Sequence, residues 1–465
     1  MTHSNWISPL LTCALAITLS ACGSEDENPS GNDGTGGSSG TGGSTSTGGN
    51  TNTGGTGGQS PAGCPDHPNV TQGTNGECRV TAPLSAPMTQ DLTLNAANDW
   101  YLEGPLVVGN DTEKTVLTIE PGTTVYGGDG SFLLIQRSSQ IMADGTKDKP
   151  IVLTSAKAVG SRGTEDWGGL VINGRAPINN AANPDGSAPG EAGTGKYGGN
   201  VADDNSGVLR FVRVEFAGNK VDLENELNGF AFQGVGSGTT VEYIQAHMTS
   251  DDGVEFFGGT VNVRYVVVTG SDDDSVDWTG GWSGKAQFVA VKQMPESGTE
   301  AERGIEADNL KGTNSATPYS NPTLSNVTLV AREGNGKQGI MVREGTKGKL
   351  HNVIISGFGV CVKVDHAQTE ANVDDGSLAL DNVIYDCNAV AEGGNKAEDL
   401  VGRDLGAKAS SPSLQGPMGW MPASDSPALG IGPGPSDTFF VATDYAGAFD
   451  GATDWTEGWI ETATK

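Results

Sequence analysis

The stretch from Tyr243 to Gly281 repeats itself, and this repeat restricts the fold more than any other feature of the chain. Displaced by 22 residues, Tyr243 falls on Tyr265, Asp251 on Asp273, Asp252 on Asp274, Val254 on Val276, Glu255 on Asp277, Phe256 on Trp278, and Gly258-Gly259 on Gly280-Gly281. Such a period, built of short β-branched runs between Gly, Asp and Asn turns, is too long for a hairpin repeat and too short for a βαβ unit. It fits one coil of a parallel β-helix, where equivalent positions of successive coils stack about 4.8 Å apart. One stack here is acidic and its neighbour is aromatic.

The same alternation of apolar and polar positions runs through VLTIEPGTTVYG, SFLLIQRSSQIMADGT, PIVLTSAK, TLSNVTLVA, KLHNVIISGFGVCVKVD and LALDNVIYDC. Each run is closed by Gly, Pro or Asp, which predicts strand and turn in succession and an all-β solenoid over residues 64–415. No segment carries the sustained period of an amphipathic helix. Residues 179–207 interrupt the coils with a Pro/Gly/Asn-rich excursion, read as a functional loop or a tolerated insertion. The aromatic-rich segment 416–465 breaks the pattern and is expected to cap the solenoid, with Trp455 and Trp459 plugging its last coil.

The N-terminal residues have another character. An apolar run ends in Leu19-Ser20-Ala21-Cys22, the pattern of a lipoprotein signal peptide (residues 1–21) in which Cys22 becomes the acylated first residue. Residues 22–63 are mostly Gly, Ser, Thr and Asn with repeated TGG steps, too poor in apolar side chains to offset their ordering entropy, and are expected to form a disordered tether. Contact with the lipid bilayer would then run through the lipid anchor alone. The expected address is the cell envelope, as an outer-membrane lipoprotein and a monomer. With 57 acidic and 27 basic residues, a formal charge of -30, nucleic acid is excluded as a partner of choice.

Of six cysteines, Cys13 leaves with the signal and Cys22 is acylated, so four remain free to pair in an exported chain. Cys64 and Cys78 bracket a Gly/Asn/Pro-rich loop, and Cys361 and Cys387 lie about one coil apart, within reach of each other across adjacent coils. Both pairs are read as disulfides, because no CxxC or partnering His suggests a metal site.

The motifs DWGGLVINGRAPIN, DNSGVLRFVRVEFAG, NGFAFQGVGSGTTVEYIQ, SDDGVEFFGGTVNVRYVVV and YAGAFDGATDWTEGWI resemble a family of exported bacterial lipoproteins and surface proteins with a right-handed parallel β-helix of the pectin-lyase-like kind. The resemblance covers nearly everything after the tether. It implies a fold and a location, and it supplies no reaction.

Chemistry concentrates on the acidic stack. If Val254 and Phe256 point inward, alternation sends Glu255 outward, with Asp277 following one coil later and Glu306 after that, aligned through Ile305 with Val276. Asp251, Asp252, Asp272, Asp273 and Asp274 lie at the turns before these strands. With Glu255 and Asp277 they make the expected calcium site, since a hard cation takes six to eight oxygens. The alternative is a solvated acidic turn whose side chains cap backbone amides.

An enzymatic alternative places Glu255, Asp277, Glu306 and Arg343, with Lys363 as another candidate base, in a polysaccharide lyase or glycoside hydrolase. Ordinary ion pairing of Arg343 with the acidic face accounts for the same residues. His67, His247, His351 and His366 are read as structural or surface residues, and no GxSxG elbow is present. Among Trp167, Tyr197, Trp278, Trp282, Trp420, Trp455 and Trp459, Trp282 is the chosen ligand-contact residue, as an exposed ring on a carbohydrate platform, whereas Phe256 and Trp278 are expected in the core. The resulting reading is non-enzymatic binding of a glycan or envelope component with calcium-ordered turns. A structural spacer is the third possibility.

Overall fold

The computed structural model describes residues 63–220, 226–296, 303–333, 336–392 and 395–465. The expected signal segment 1–21, the expected acylation site Cys22 and the expected tether through residue 62 lie outside the described residues.

Short apolar strands pair in parallel with the equivalent strand of the next coil, so every coil shields its neighbour's core. The first sheet stacks Leu133–Ile135, Leu170–Asn173, Phe230–Gln233, Val254–Phe257, Val276–Thr279, Arg303–Ala307, Gln338–Val342, Val360–Val364 and Ala389–Glu392, all in parallel register. The other two sheets come from longer strands, among them Gly207–Glu215, Thr240–His247, Asn262–Thr269, Lys285–Lys292, Thr323–Val330, Gly348–Ser356 and Leu378–Asp386. The result is a right-handed parallel β-helix.

Each long strand bends at one residue in the left-handed region: Phe211, Tyr243, Tyr265, Phe288, Asn326, Asn352 and Asn382, with φ between 49° and 61°. Asn tolerates this conformation, whereas an aromatic residue there is strained. The aromatic corners are held by their own stack, with ring centroids 4.3 Å apart for Phe211–Tyr243, 4.2 Å for Tyr243–Tyr265 and 4.9 Å for Tyr265–Phe288. The stack continues as an amide ladder in which Asn382 Nδ2 donates to Asn352 Oδ1 at 3.0 Å.

Both disulfides are formed, Cys64–Cys78 and Cys361–Cys387, each with a Cα–Cα distance of 5.5 Å. Two short helices that the sequence pattern missed follow the later coils: α1 (Ala367–Asp374) and α2 (Asn395–Gly402). Ala397 and Leu400 of α2 are buried in the central core cluster beside Val390 and Ala391 of the last first-sheet strand. That apolar pair, with Val401, covers the end of the solenoid.

The C-terminal segment therefore does not plug the last coil with Trp455 and Trp459. It runs as a strap along the flank, over the corner ladder of the earlier coils. Trp459 meets Phe211 edge-on at 5.6 Å and Trp455 meets Tyr265 at 5.2 Å. Two buried glutamines bind the strap backbone with both amide atoms. Gln245 donates to Glu461 O and accepts from Glu461 N, each at 2.7 Å, and Gln287 does the same with Val441 at 2.8 Å. The rings of the strap cover an aromatic corner that water would otherwise reach.

Candidate functional site

On the first sheet, Val254 and Phe256 point into the core and Glu255 points away from it, as alternation requires. Glu255 is in register with Asp277, and Asp277 with Glu306. Facing away from the core does not bring these groups to solvent. Glu255 is 7 % exposed, Asp252 5 % and Glu306 5 %. The excursion 179–207 lies over this face: Tyr197 packs edge-on against Phe257 at 6.4 Å, and Ala192 joins Phe132 and Phe257 against a small apolar cluster on the sheet's outer side. The excursion is thus a cover for the acidic face.

Two groups of three carboxylates form there, each with one oxygen per residue within 4.8 Å of the others: Asp251, Asp252 and Asp273, and Asp252, Glu255 and Asp277. Asp252 belongs to both. Of the seven expected ligands, Asp272 and Asp274 fall outside these groups. Asp274 is instead paired with Arg303, Oδ2 to Nη1 at 3.0 Å, because the strand Arg303–Ala307 brings that guanidinium alongside the previous turn.

The electrostatics follow from crowding like charges in a dry place. Burial, then the charges of Glu191, Asp277 and Asp251, hold the Glu255 carboxyl well above the ordinary range, opposed by the hydrogen bond that Asn228 Nδ2 donates to its Oε2 at 2.7 Å. Burial raises Asp252 and Asp277 in the same way, with Asp251 the first contributing charge for one and Glu306 for the other. Asp251 is pushed up to about 10, by burial and by its interaction with Glu226. Glu306 reaches about 8, mainly through burial, with Arg303 and Arg343 pulling the other way.

Arg343 is occupied. Its Nε donates to Asp308 Oδ1 at 2.9 Å and Oδ2 at 3.1 Å, and its Nη2 pairs with Glu306. Lys363 stands one coil on, in register with Met341 and half-buried. Sequence reasoning did not single out Asp308, Arg303, Asn228, Glu191 or Glu226. Alternation from Glu306 would have placed Asp308 on the same face. Arg303 opens the strand that carries Glu306; Asn228, Glu191 and Glu226 come from connections between coil strands whose course no local pattern records.

Trp282 is not a surface ring. It is fully buried, stacked on Phe256 at 4.0 Å, and its Nε1 donates to Val261 O at 3.1 Å. Gly280 and Gly281, with φ of 67° and 93°, turn the chain so sharply that the next side chain enters the core. Trp167, Tyr197, Trp278, Trp420 and Trp459 are buried as well. The first sheet therefore offers no row of these rings to a sugar. His247 is also buried, its Nδ1 2.8 Å from Thr269 Oγ1 and its Nε2 donating to Ala463 O at 2.9 Å.

Parallel coils of this register, with carboxylates stacked on one sheet, agree with a family-level match over residues 86–412 to the pectate-lyase-like β-helix domain. The chain belongs to that family. No curated protein and no solved structure matches it. Membership thus accounts for the solenoid, and the carboxylate groups must be read from their own geometry.

The carboxylates suit a hard cation in donor chemistry. All donors are oxygens, the two groups share Asp252, and Asp277 Oδ1 is buried with no hydrogen-bond partner among the described residues. Asp251, Asp252, Glu255, Asp273 and Asp277 are the residues that would hold it.

Proposed function

We propose that this chain is a lipid-anchored, non-enzymatic binding protein of the bacterial cell envelope, whose β-helix takes up a divalent cation of the calcium class and presents its surface to a glycan or another envelope component. The observation that carries the cation is the pair of carboxylate groups sharing Asp252. Each additional carboxylate is costly to ionise in such a setting, and a bound cation offsets that cost. The lipobox ending in Cys22 and the Gly/Ser/Thr tether support the anchor and the outer-membrane address. The non-enzymatic reading rests on access. A general acid or base must touch its substrate, whereas Glu255 and Glu306 are buried and Arg343 is bound to two carboxylates.

A glycoside hydrolase or polysaccharide lyase is the second reading. It is favoured by Glu306, which at about 8 keeps its proton near neutral pH as a general acid must.

Calcium titrated into the full chain by calorimetry, with the melting temperature followed in parallel, tests the first reading. Saturable heat is expected, with a stabilisation of about 2.7 kcal/mol at a hundredfold excess over Kd. Glu255→Gln combined with Asp277→Asn should abolish the heat while leaving the chelated protein folded. No heat with wild type would remove the cation from the proposal. Release of reducing ends or unsaturated products from polysaccharides would move the assignment to the second reading.

A further inference from the structure

A second site lies where the excursion meets the first coils. Leu84, Pro87, Asn110, Asp111, Gln136 and Lys196 line an open cleft of about 350 Å³, within the range of small-ligand sites. Two of its polar groups are already used. Asp111 accepts from Nε of Arg137 on one oxygen and from Nη2 on the other, each at 2.5 Å. Asn110 Oδ1 accepts from the backbone N–H groups of Thr112 and Glu113 at 3.2 and 3.0 Å.

Gln136 and Lys196 remain free. Leu134 belongs to the outer apolar cluster and Ile135 to the core, so alternation turns Gln136 outward just past the strand Leu133–Ile135. Gln136 is only 7 % exposed, and its amide has no hydrogen-bond partner among the described residues, yet the amide is not sealed in, because the cleft reaches it. Gly195, with φ of 92°, passes close by, and a Cβ there would lie 2.7 Å from Gln136 Nε2. Packing thus fixes the side chain and leaves its tip open, so a ligand would cost it little further freedom. Lys196 is exposed and has no carboxylate partner among the described residues. The chain itself shows what such an amide can hold. Gln245 and Gln287 each bind the backbone N–H and C=O of one strap residue with donor and acceptor together. Gln136 offers the same pair of atoms to the cleft.

We infer that this cleft binds the end of a peptide with a free C-terminal carboxylate. The carboxylate pairs with Lys196, the Gln136 amide takes backbone N–H and C=O groups of the last residues, and a small apolar side chain meets Leu84 and Pro87, of which Leu84 is 42 % exposed. The inference rests on the surface-binding reading only in treating the partner as an envelope component, and it is independent of the cation.

The test is a titration followed by saturation-transfer NMR on the full chain in EDTA. The probes are N-acetyl-trialanine and N-acetyl-dialanyl-leucine as free acids, their C-terminal amides, and digalacturonate as a carboxylate without a peptide. At least one free acid should bind, and its amide about tenfold or more weakly. Gln136→Ala should weaken the acid about tenfold or more, Lys196→Met should bring acid and amide to equal affinity, and Glu255→Gln should change neither. If Gln136→Ala fails to fold, Lys196→Met, at an exposed position, carries the test. No binding by either acid, equal binding of acid and amide to wild type, digalacturonate binding as tight as the better peptide, or binding indifferent to both substitutions would overturn the assignment. A failed calcium titration would not touch it, and absent peptide binding would leave the cation reading standing.

Discussion

At the scale of single residues, the acidic face is defined by carboxyls that resist ionisation. In the unfolded chain Asp251 and Glu306 ionise near 3.8 and 4.5, whereas in the fold they are raised to about 10 and about 8. Between those values the folded chain binds more protons than the unfolded one, so stability is full at low pH and is lost as pH rises. The Glu306 share is gone above about 8 and the Asp251 share above about 10. In EDTA, the melting temperature should therefore fall as pH is raised from about 5 to about 9, and Asp251→Asn should flatten that decline. A melting temperature that rises across this window would contradict the buried, crowded carboxylates. The stack Glu255–Asp277–Glu306 was legible because alternation, the 22-residue step from Glu255 to Asp277 and the alignment of Ile305 with Val276 are properties of one or two coils. Its burial was not, since the cover comes from residues 179–207, far away in the chain.

At the scale of elements, the strap shows how side chains can substitute for a sheet edge. Gln245 and Gln287 hold its backbone, and Gly447 lets it pass close to the coils. Gly447 has φ of 86°, and a Cβ there would sit 2.5 Å from Ile354 Cδ1 and 2.7 Å from Thr328 Oγ1. Gly447→Ala should cost about 2 kcal/mol and make residues 440–465 more susceptible to limited proteolysis than the coils. Proteolysis no faster than in wild type would mean that the strap is not held there. His247 acts on the same contact. Its burial lowers its affinity for a proton below the ordinary 6.5, so the unfolded chain takes up a proton that the folded one refuses and stability falls as pH drops through that region. The acid-side loss of His247→Gln should be smaller.

At the scale of the whole molecule, the solenoid is a stack whose ends need separate treatment, because each interior coil is covered by two neighbours and a terminal coil by one. One end is stapled by Cys64–Cys78; at the other, Cys361–Cys387 and α2 close the core. Replacing Cys361 and Cys387 with Ala should lower stability by about 3 kcal/mol through the 26-residue loop they close, read from the midpoint of denaturant unfolding. An unchanged midpoint would show that α2 alone suffices. The sequence by itself determined the coil period, the inward and outward parity of Val254, Glu255 and Phe256, and the cysteine pairs, because these depend on residue type and spacing along one or two coils. The tertiary structure alone decided that Trp282 turns inward, that the C-terminal rings lie on the flank, and that Arg343 is bound by Asp308 and Glu306. Those outcomes depend on which distant segments meet, and contacts between segments far apart in the chain leave no periodic trace in it.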